Sequence, residues 1–161
     1  VLAQFDFCLG HVLENNVNVL AKYPGGVTGT LWASQVATGH ELDLSVELFG
    51  DKGSIRWTHK DNNAIWYTPV NEAPQYITIG RDYTCPESSR LMRGITGAPV
   101  GFSEAFGNIY RSFMMALAAR KAGTEDPSYT YPTVDDGVWG MKFIHACLES
   151  HRQGNAWVPL D

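Results

Sequence analysis

Glu41-Leu42-Asp43-Leu44-Ser45-Val46-Glu47-Leu48-Phe49-Gly50-Asp51-Lys52-Gly53-Ser54-Ile55-Arg56-Trp57-Thr58-His59-Lys60 alternates with period two on both sides of a glycine-bounded turn. Leu42, Leu44, Val46 and Leu48 share one face of the first arm; Glu41, Asp43, Ser45 and Glu47 share the other. Over this length the alternation predicts a half-buried strand across residues 41–49. Gly50-Asp51-Lys52-Gly53 turns the chain, and residues 54–60 run back. A hairpin centred on Asp51-Lys52 sets Glu47 against Arg56, Asp43 against Lys60 and Ser45 against Thr58. On the other face Leu48 meets Ile55 and Val46 meets Trp57. One register satisfies both faces, each good pair contributing roughly 0.2–1 kcal/mol. A slip by one residue would set charges against apolar side chains.

Working outward, residues 1–8, 18–23 and 27–37 read as strands, the second closed by Pro24-Gly25-Gly26. Further strands are predicted at 64–68 and 75–80. The pattern weakens over residues 82–99, a long loop with room for a short helix at 88–92. Phe102, Ala105, Phe106, Ile109, Tyr110, Phe113, Met114 and Leu117 follow helical spacing, and Gly123 ends that run. A second helix follows Pro132, with Thr133 as N-cap and Asp135 and Asp136 in the first turn, where the helix dipole favours acids. Its expected buried face is Val134, Val138, Met141, Ile144 and His145 or Leu148, with Cys147 as a core thiol; a last strand is expected over 156–160. Strands first and helices after predict an α+β fold, a largely antiparallel open sheet with two long amphipathic helices on one face. The other sheet face is then free for a partner. The aromatic load of Trp32, Trp57, Trp66 and Tyr67 points to an oligomer interface or partner domain there.

The chain of 161 residues suffices for one domain with a core. Its net charge of -5, with no basic cluster, speaks against nucleic acid as a partner. No apolar run reaches the length of a membrane span. Cys8, Cys85 and Cys147 form no Cys-x-x-Cys pair, which argues against a disulfide framework or zinc site and points to a cytoplasmic setting. The chain opens on Val1-Leu2-Ala3, directly in a strand-like pattern, so further sequence is expected upstream.

No G-x-G-x-x-G, P-loop, H-E-x-x-H or G-x-S-x-G motif is present. Gly94-Ile95-Thr96-Gly97 reads as a flexible loop. His40, in Ala37-Thr38-Gly39-His40-Glu41, lies between two predicted strands, where binding groups commonly sit; it could bond a sugar hydroxyl or serve as an ordinary turn histidine. His11, His59, His145 and His151 are scattered, and capping accounts for Asp135 and Asp136. Read alone, these residues describe a scaffold or binding domain.

Five stretches carry a resemblance: Leu13-Glu14-Asn15-Asn16-Val17-Asn18-Val19-Leu20; Gly29-Thr30-Leu31-Trp32-Ala33-Ser34-Gln35-Val36-Ala37-Thr38-Gly39-His40-Glu41; Phe49-Gly50-Asp51-Lys52-Gly53-Ser54-Ile55-Arg56-Trp57; Gly101-Phe102-Ser103-Glu104-Ala105-Phe106-Gly107-Asn108-Ile109-Tyr110; and Tyr131-Pro132-Thr133-Val134-Asp135-Asp136-Gly137. In order and spacing they resemble the carboxy-terminal domain of the Gfo/Idh/MocA oxidoreductases, the glucose–fructose oxidoreductase and inositol dehydrogenase family. The resemblance implies a dihydrodipicolinate-reductase-like carboxy-terminal domain over residues 1–161, and an upstream Rossmann domain using NAD or NADP. It also implies a sugar or polyol substrate between the two, and a homo-oligomer formed through the open sheet face. The glycine fingerprint, catalytic Lys and usual Asp and His are then upstream of Val1. This chain is expected to hold no catalytic, cofactor-binding or metal-ligating residue, and to be inactive alone.

Its expected contribution is a wall of the substrate pocket: Trp32 to stack on a sugar face, Gln35 and His40 to bond hydroxyls, and Arg93 or Arg90 to hold an acidic group. Close relatives tend to carry His before the Pro of the loop that leads into the long helix. Here Ala98 precedes Pro99, so the identity of the sugar does not transfer. The rival readings are a non-enzymatic α+β binding module and an oligomerisation domain without a ligand.

Overall fold

A computed structural model describes residues 1–160. The chain forms two compact units: Val1–Glu41 with the segment from Pro132 onward, and Leu42–Tyr131.

The first unit holds β1 (Leu2–Asp6), β2 (Asn16–Lys22) and β3 (Thr28–Ser34), an antiparallel sheet in the order β1-β2-β3. Ala3 pairs with Val19, and Asn18 with Trp32. The helix Val134–Arg152 packs on β1; it is α3, since two helices of the second unit precede it. Ala3, Val19 and Cys147 form the core, flanked by Val1, Phe5, Val17 and Phe143. Burial pushes the Cys147 thiol above its ordinary pKa, as desolvation disfavours the thiolate.

The buried face of α3 differs from the expected one. Val134 is 80% exposed, and Val138, Met141 and Ile144 are exposed to about half. The stripe that docks is Phe143, Ala146, Cys147 and Ser150, at helical spacing. The helix is apolar around much of its circumference, so bulk does not select a face. Small residues do, because they let the helix backbone approach β1.

A second reason is polar. β1 is an edge strand, and an unpaired edge must be satisfied or shielded. The Ala3 N–H donates to Ser150 Oγ at 2.8 Å, the Phe5 N–H to His151 Nδ1 at 3.3 Å, and the Val158 N–H to the Val1 carbonyl at 2.8 Å. The end of α3 and the chain after it thus cover the edge of β1. Residues 156–160 form no ladder of their own and lie beside Val1 instead of making the expected last strand.

The second unit holds β4 (Ser45–Gly50), β5 (Gly53–Thr58), β6 (Ala64–Pro69) and β7 (Gln75–Thr78), antiparallel in chain order. It also holds α1 (Pro86–Leu91) and α2 (Phe102–Ala122). The β4–β5 register is the one read from the sequence: Glu47 opposite Arg56, Ser45 opposite Thr58, Leu48 opposite Ile55 and Val46 opposite Trp57. Gly53 has φ +154°, and a Cβ there would stand 2.5 Å from the Thr68 carbonyl oxygen on β6. The turn therefore needs glycine for close approach as well as for its backbone angle.

The strand begins at Ser45, later than expected. Leu42 has φ +47°, which takes residues 41–44 out of the extended conformation. The His59 ring donates to the Leu42 carbonyl at 2.9 Å, and the His59 N–H to the Leu44 carbonyl at 2.8 Å. Asp43 and Lys60 still meet at 3.1 Å, as an ion pair outside the ladder.

Candidate functional site

In the first unit, the sheet face opposite α3 is polar. The register of β1, β2 and β3 places Gln4, Asp6, Asn16, Asn18 and Trp32 on it together. Asp6 Oδ2 accepts from Asn16 Nδ2 at 2.7 Å, and Asp6 Oδ1 from Gln4 Nε2 at 3.2 Å. A carboxylate only accepts, so Asp6 turns the Asn16 amide with its NH2 inward. Asn16 Oδ1 is left to accept from Trp32 Nε1 at 2.8 Å. The indole, 56% exposed, is thus fixed by a chain of two hydrogen bonds ending on a charge.

His40 stands edge-on to Trp32, with ring centroids 6.1 Å apart and planes at 77°. It sits on a tight turn whose His40 N–H donates to the Ala37 carbonyl at 3.0 Å. The turn follows directly on β3. The Gln35 N–H donates to the Asn15 carbonyl at 2.8 Å. Asn15, nearly buried, also spans the Cys8 backbone, with both side-chain bonds at 2.9 Å. Of the residues singled out by sequence, Trp32 and His40 are brought together, and Gln35 lies on the segment joining them. An indole face beside an imidazole, with amides and a carboxylate alongside, suits the apolar face and hydroxyls of a sugar or polyol.

Sequence reading missed Asp6 and Asn16. The signal was register: once Asn18 is placed opposite Trp32, period two puts Asp6 and Asn16 on the face of the indole.

Arg93 and Arg90 belong to the second unit. Arg93 Nε donates to Asn108 Oδ1 at 2.6 Å, and Asn108 Nδ2 to the Leu91 carbonyl at 2.7 Å, which ties the end of α1 to α2. That bond engages the Arg93 Nε. Arg90 donates to the Ser128 carbonyl and lies 5.6 Å from the centroid of the Tyr129 ring, a structural position. Among the described residues there is no His, Cys, Asp and Glu group able to hold a metal ion. No helix among them is long and apolar enough to cross a membrane.

Residues 6–160 match the family described as oxidoreductase family, C-terminal alpha/beta domain, of the Gfo/Idh/MocA type. The chain belongs to this family. The uncharacterized oxidoreductase YfiI of Bacillus subtilis (strain 168) is 33% identical over 155 residues, which are 92% of this chain and 38% of the relative. An oxidoreductase of Sinorhizobium meliloti superposes with a TM-score of 0.91 at 39% identity, covering 98% of this chain and 45% of that one. An inositol dehydrogenase homologue of Azotobacter vinelandii, solved with NADH and myo-inositol, gives a TM-score of 0.89 at 27% identity, covering 98% and 42%. The Gfo/Idh/MocA domain described here thus spans less than half the length of these relatives.

The domain's own residues do not fit a dinucleotide. Pyrophosphates bind where helix N-terminal N–H groups are open to an anion. At α2 the Glu104 carboxylate accepts from the Gly101 N–H at 3.0 Å. At α3 the Asp136 carboxylate accepts from the Thr133 N–H at 2.7 Å. Both long helices are capped by an acid that would repel phosphate.

Proposed function

We propose that this chain is the substrate-side domain of an NAD-dependent oxidoreductase that transfers hydride to or from a sugar, polyol or related compound. The observation that carries the reading is the oriented Trp32–His40 pair, backed by Asp6 and Asn16, on a domain of an oxidoreductase family. NAD and a polyol are supported by the contents of the Azotobacter vinelandii neighbour; the sequence left NAD and NADP equally open. Trp32, Gln35 and His40, all in the first unit, contact substrate in this reading, and the parent assembles as a homo-oligomer through an open sheet face. The acid capping of α2 and α3 supports placing the cofactor on a domain outside this chain.

The isolated chain should then give no turnover with NAD+ and myo-inositol or related polyols. A parent that includes it should turn over, and His40→Ala in that parent should lower kcat/KM by about tenfold, the scale of one lost hydrogen bond to substrate. Turnover by the isolated chain, or an unchanged kcat/KM in the variant, would count against the reading.

A further inference from the structure

The second unit carries a half-open surface pocket of about 290 Å³, with Asn63, Tyr76, Thr78, Arg81, Thr96 and Ala98 among its lining. Its walls are tied down. Asn63 Oδ1 accepts from the Val100 N–H at 2.9 Å, and Asn63 Nδ2 donates to the Val100 carbonyl at 3.3 Å. Thr96 Oγ1 donates to the Gly80 carbonyl at 2.5 Å. Gly80 has φ +76°, a left-handed backbone that favours glycine.

The donors and acceptors that remain define a ligand. Tyr76 gives its proton to Asp61, 2.9 Å from both carboxylate oxygens. That bond raises the Tyr76 pKa, and with its proton committed to Asp61 the phenol oxygen remains as an acceptor. The Thr96 proton is spent on Gly80, and Thr78 shares one with the Tyr83 hydroxyl at 3.0 Å. The hydroxyls therefore offer mainly acceptors, and Asn63 is fully engaged. Arg81 is the exception: it is solvent-exposed, and its guanidinium meets no hydrogen-bond or ion-pair partner among the described residues.

An exposed guanidinium beside hydroxyl acceptors can take one anionic group on a molecule that carries hydroxyl donors. A half-open pocket of about 290 Å³ lies at the small end of ligand pockets, which suits a molecule of monosaccharide size. Asp61 beside Tyr76, in a chain of net charge -5, favours a monoanion over a dianionic phosphate ester.

We propose that this pocket binds a small hydroxylated carboxylic acid, such as an aldonic or uronic acid, with the carboxylate on Arg81 and hydroxyls donating to Tyr76, Thr78 and Thr96. The site lies wholly within Leu42–Tyr131, so it stands independently of the hydride-transfer reading, and binding is measurable without turnover.

Titration calorimetry of this chain with D-gluconate, D-glucose and glucose 6-phosphate tests it. Gluconate should bind saturably, with glucose at least tenfold weaker and the phosphate ester weaker than gluconate. Arg81→Gln should weaken gluconate at least tenfold, and Arg81→Lys by less, with circular dichroism unchanged in both. The proposal is overturned by any of three results: no saturable gluconate binding at millimolar ligand, unchanged affinity in Arg81→Gln, or glucose or its phosphate ester binding as tightly as gluconate.

Discussion

Ser150→Ala removes one oxygen atom and should destabilise the first unit well beyond that atom's size. Ser150 is fully buried, accepting from the Ala3 N–H at 2.8 Å and donating to the Ala156 carbonyl at 2.6 Å. Ala3 is itself 0% exposed, so without the hydroxyl its N–H has neither protein nor water. An unsatisfied buried donor costs about 1–3 kcal/mol. The Ala156 carbonyl is half-buried and can hydrate, which adds only a fraction of one ordinary hydrogen bond, about 0.5 kcal/mol. Together these give roughly 1.5–3.5 kcal/mol. Urea denaturation followed by tryptophan fluorescence reads this directly. With m of about 1–2 kcal/mol/M, the midpoint should fall by about 1–3 M at unchanged slope. A loss below about 0.5 kcal/mol would show that the β1 edge finds other partners, and that the docking of α3 rests on apolar contact alone.

Gly53→Ala should cost more than about 1 kcal/mol, since the new Cβ meets the Thr68 carbonyl at a positive φ; an unchanged denaturation midpoint would refute the close approach. Asn16→Leu in a parent enzyme frees the Trp32 indole, and KM should rise about two- to tenfold with kcat nearly constant, the worth of one hydrogen bond; steady-state kinetics would show it. Asp136 accepts from the Thr133 backbone and hydroxyl, which holds its pKa below the usual carboxylate value. Its stabilisation is therefore fully present above the ordinary aspartate pKa and fades as pH falls through the lowered one. Asp136→Asn should be less stable than the parent chain at neutral pH. The gap in thermal midpoint should close progressively below about pH 4, and a gap constant with pH would exclude the linkage.

The β4–β5 hairpin was legible because a two-residue turn fixes register locally. Every pair from Ser45–Thr58 to Leu48–Ile55 follows from the position of Asp51-Lys52. The same alternation overran at its start. Leu42 and Leu44 continue the apolar period, but Leu42 adopts a left-handed backbone that only His59, across the hairpin, explains. Capping of α3 was equally local, since Thr133 and Asp136 lie three residues apart. The docked face of α3 was not. Cys147 is the core thiol the sequence suggests, but Val134, Val138, Met141 and Ile144 stay exposed while Ala146 and Ser150 go inside beside it. That choice is made by the unpaired edge of β1, some 147 positions away in sequence at the Ala3–Ser150 bond, and helical spacing alone does not select this stripe over the more apolar one.

The candidate site divides along the same line. Trp32 and His40 lie within one strand and the turn after it, so their proximity could be read directly. Asp6 and Asn16 reach the indole only through pairings across β1, β2 and β3, and residues 7–15, between β1 and β2, are too long a connection to set a register by turn geometry. The consequence is chemical. Trp32 alone is a sticky surface; Trp32 held through Asn16 by the Asp6 carboxylate is a platform of fixed orientation, which stereospecific presentation of a polyol requires. If the indole must be held in place, the residues that hold it should matter nearly as much as the indole. Replacing Asp6 by Asn, which can present an NH2 to the Asn16 amide and let it flip, should then weaken substrate binding without touching substrate.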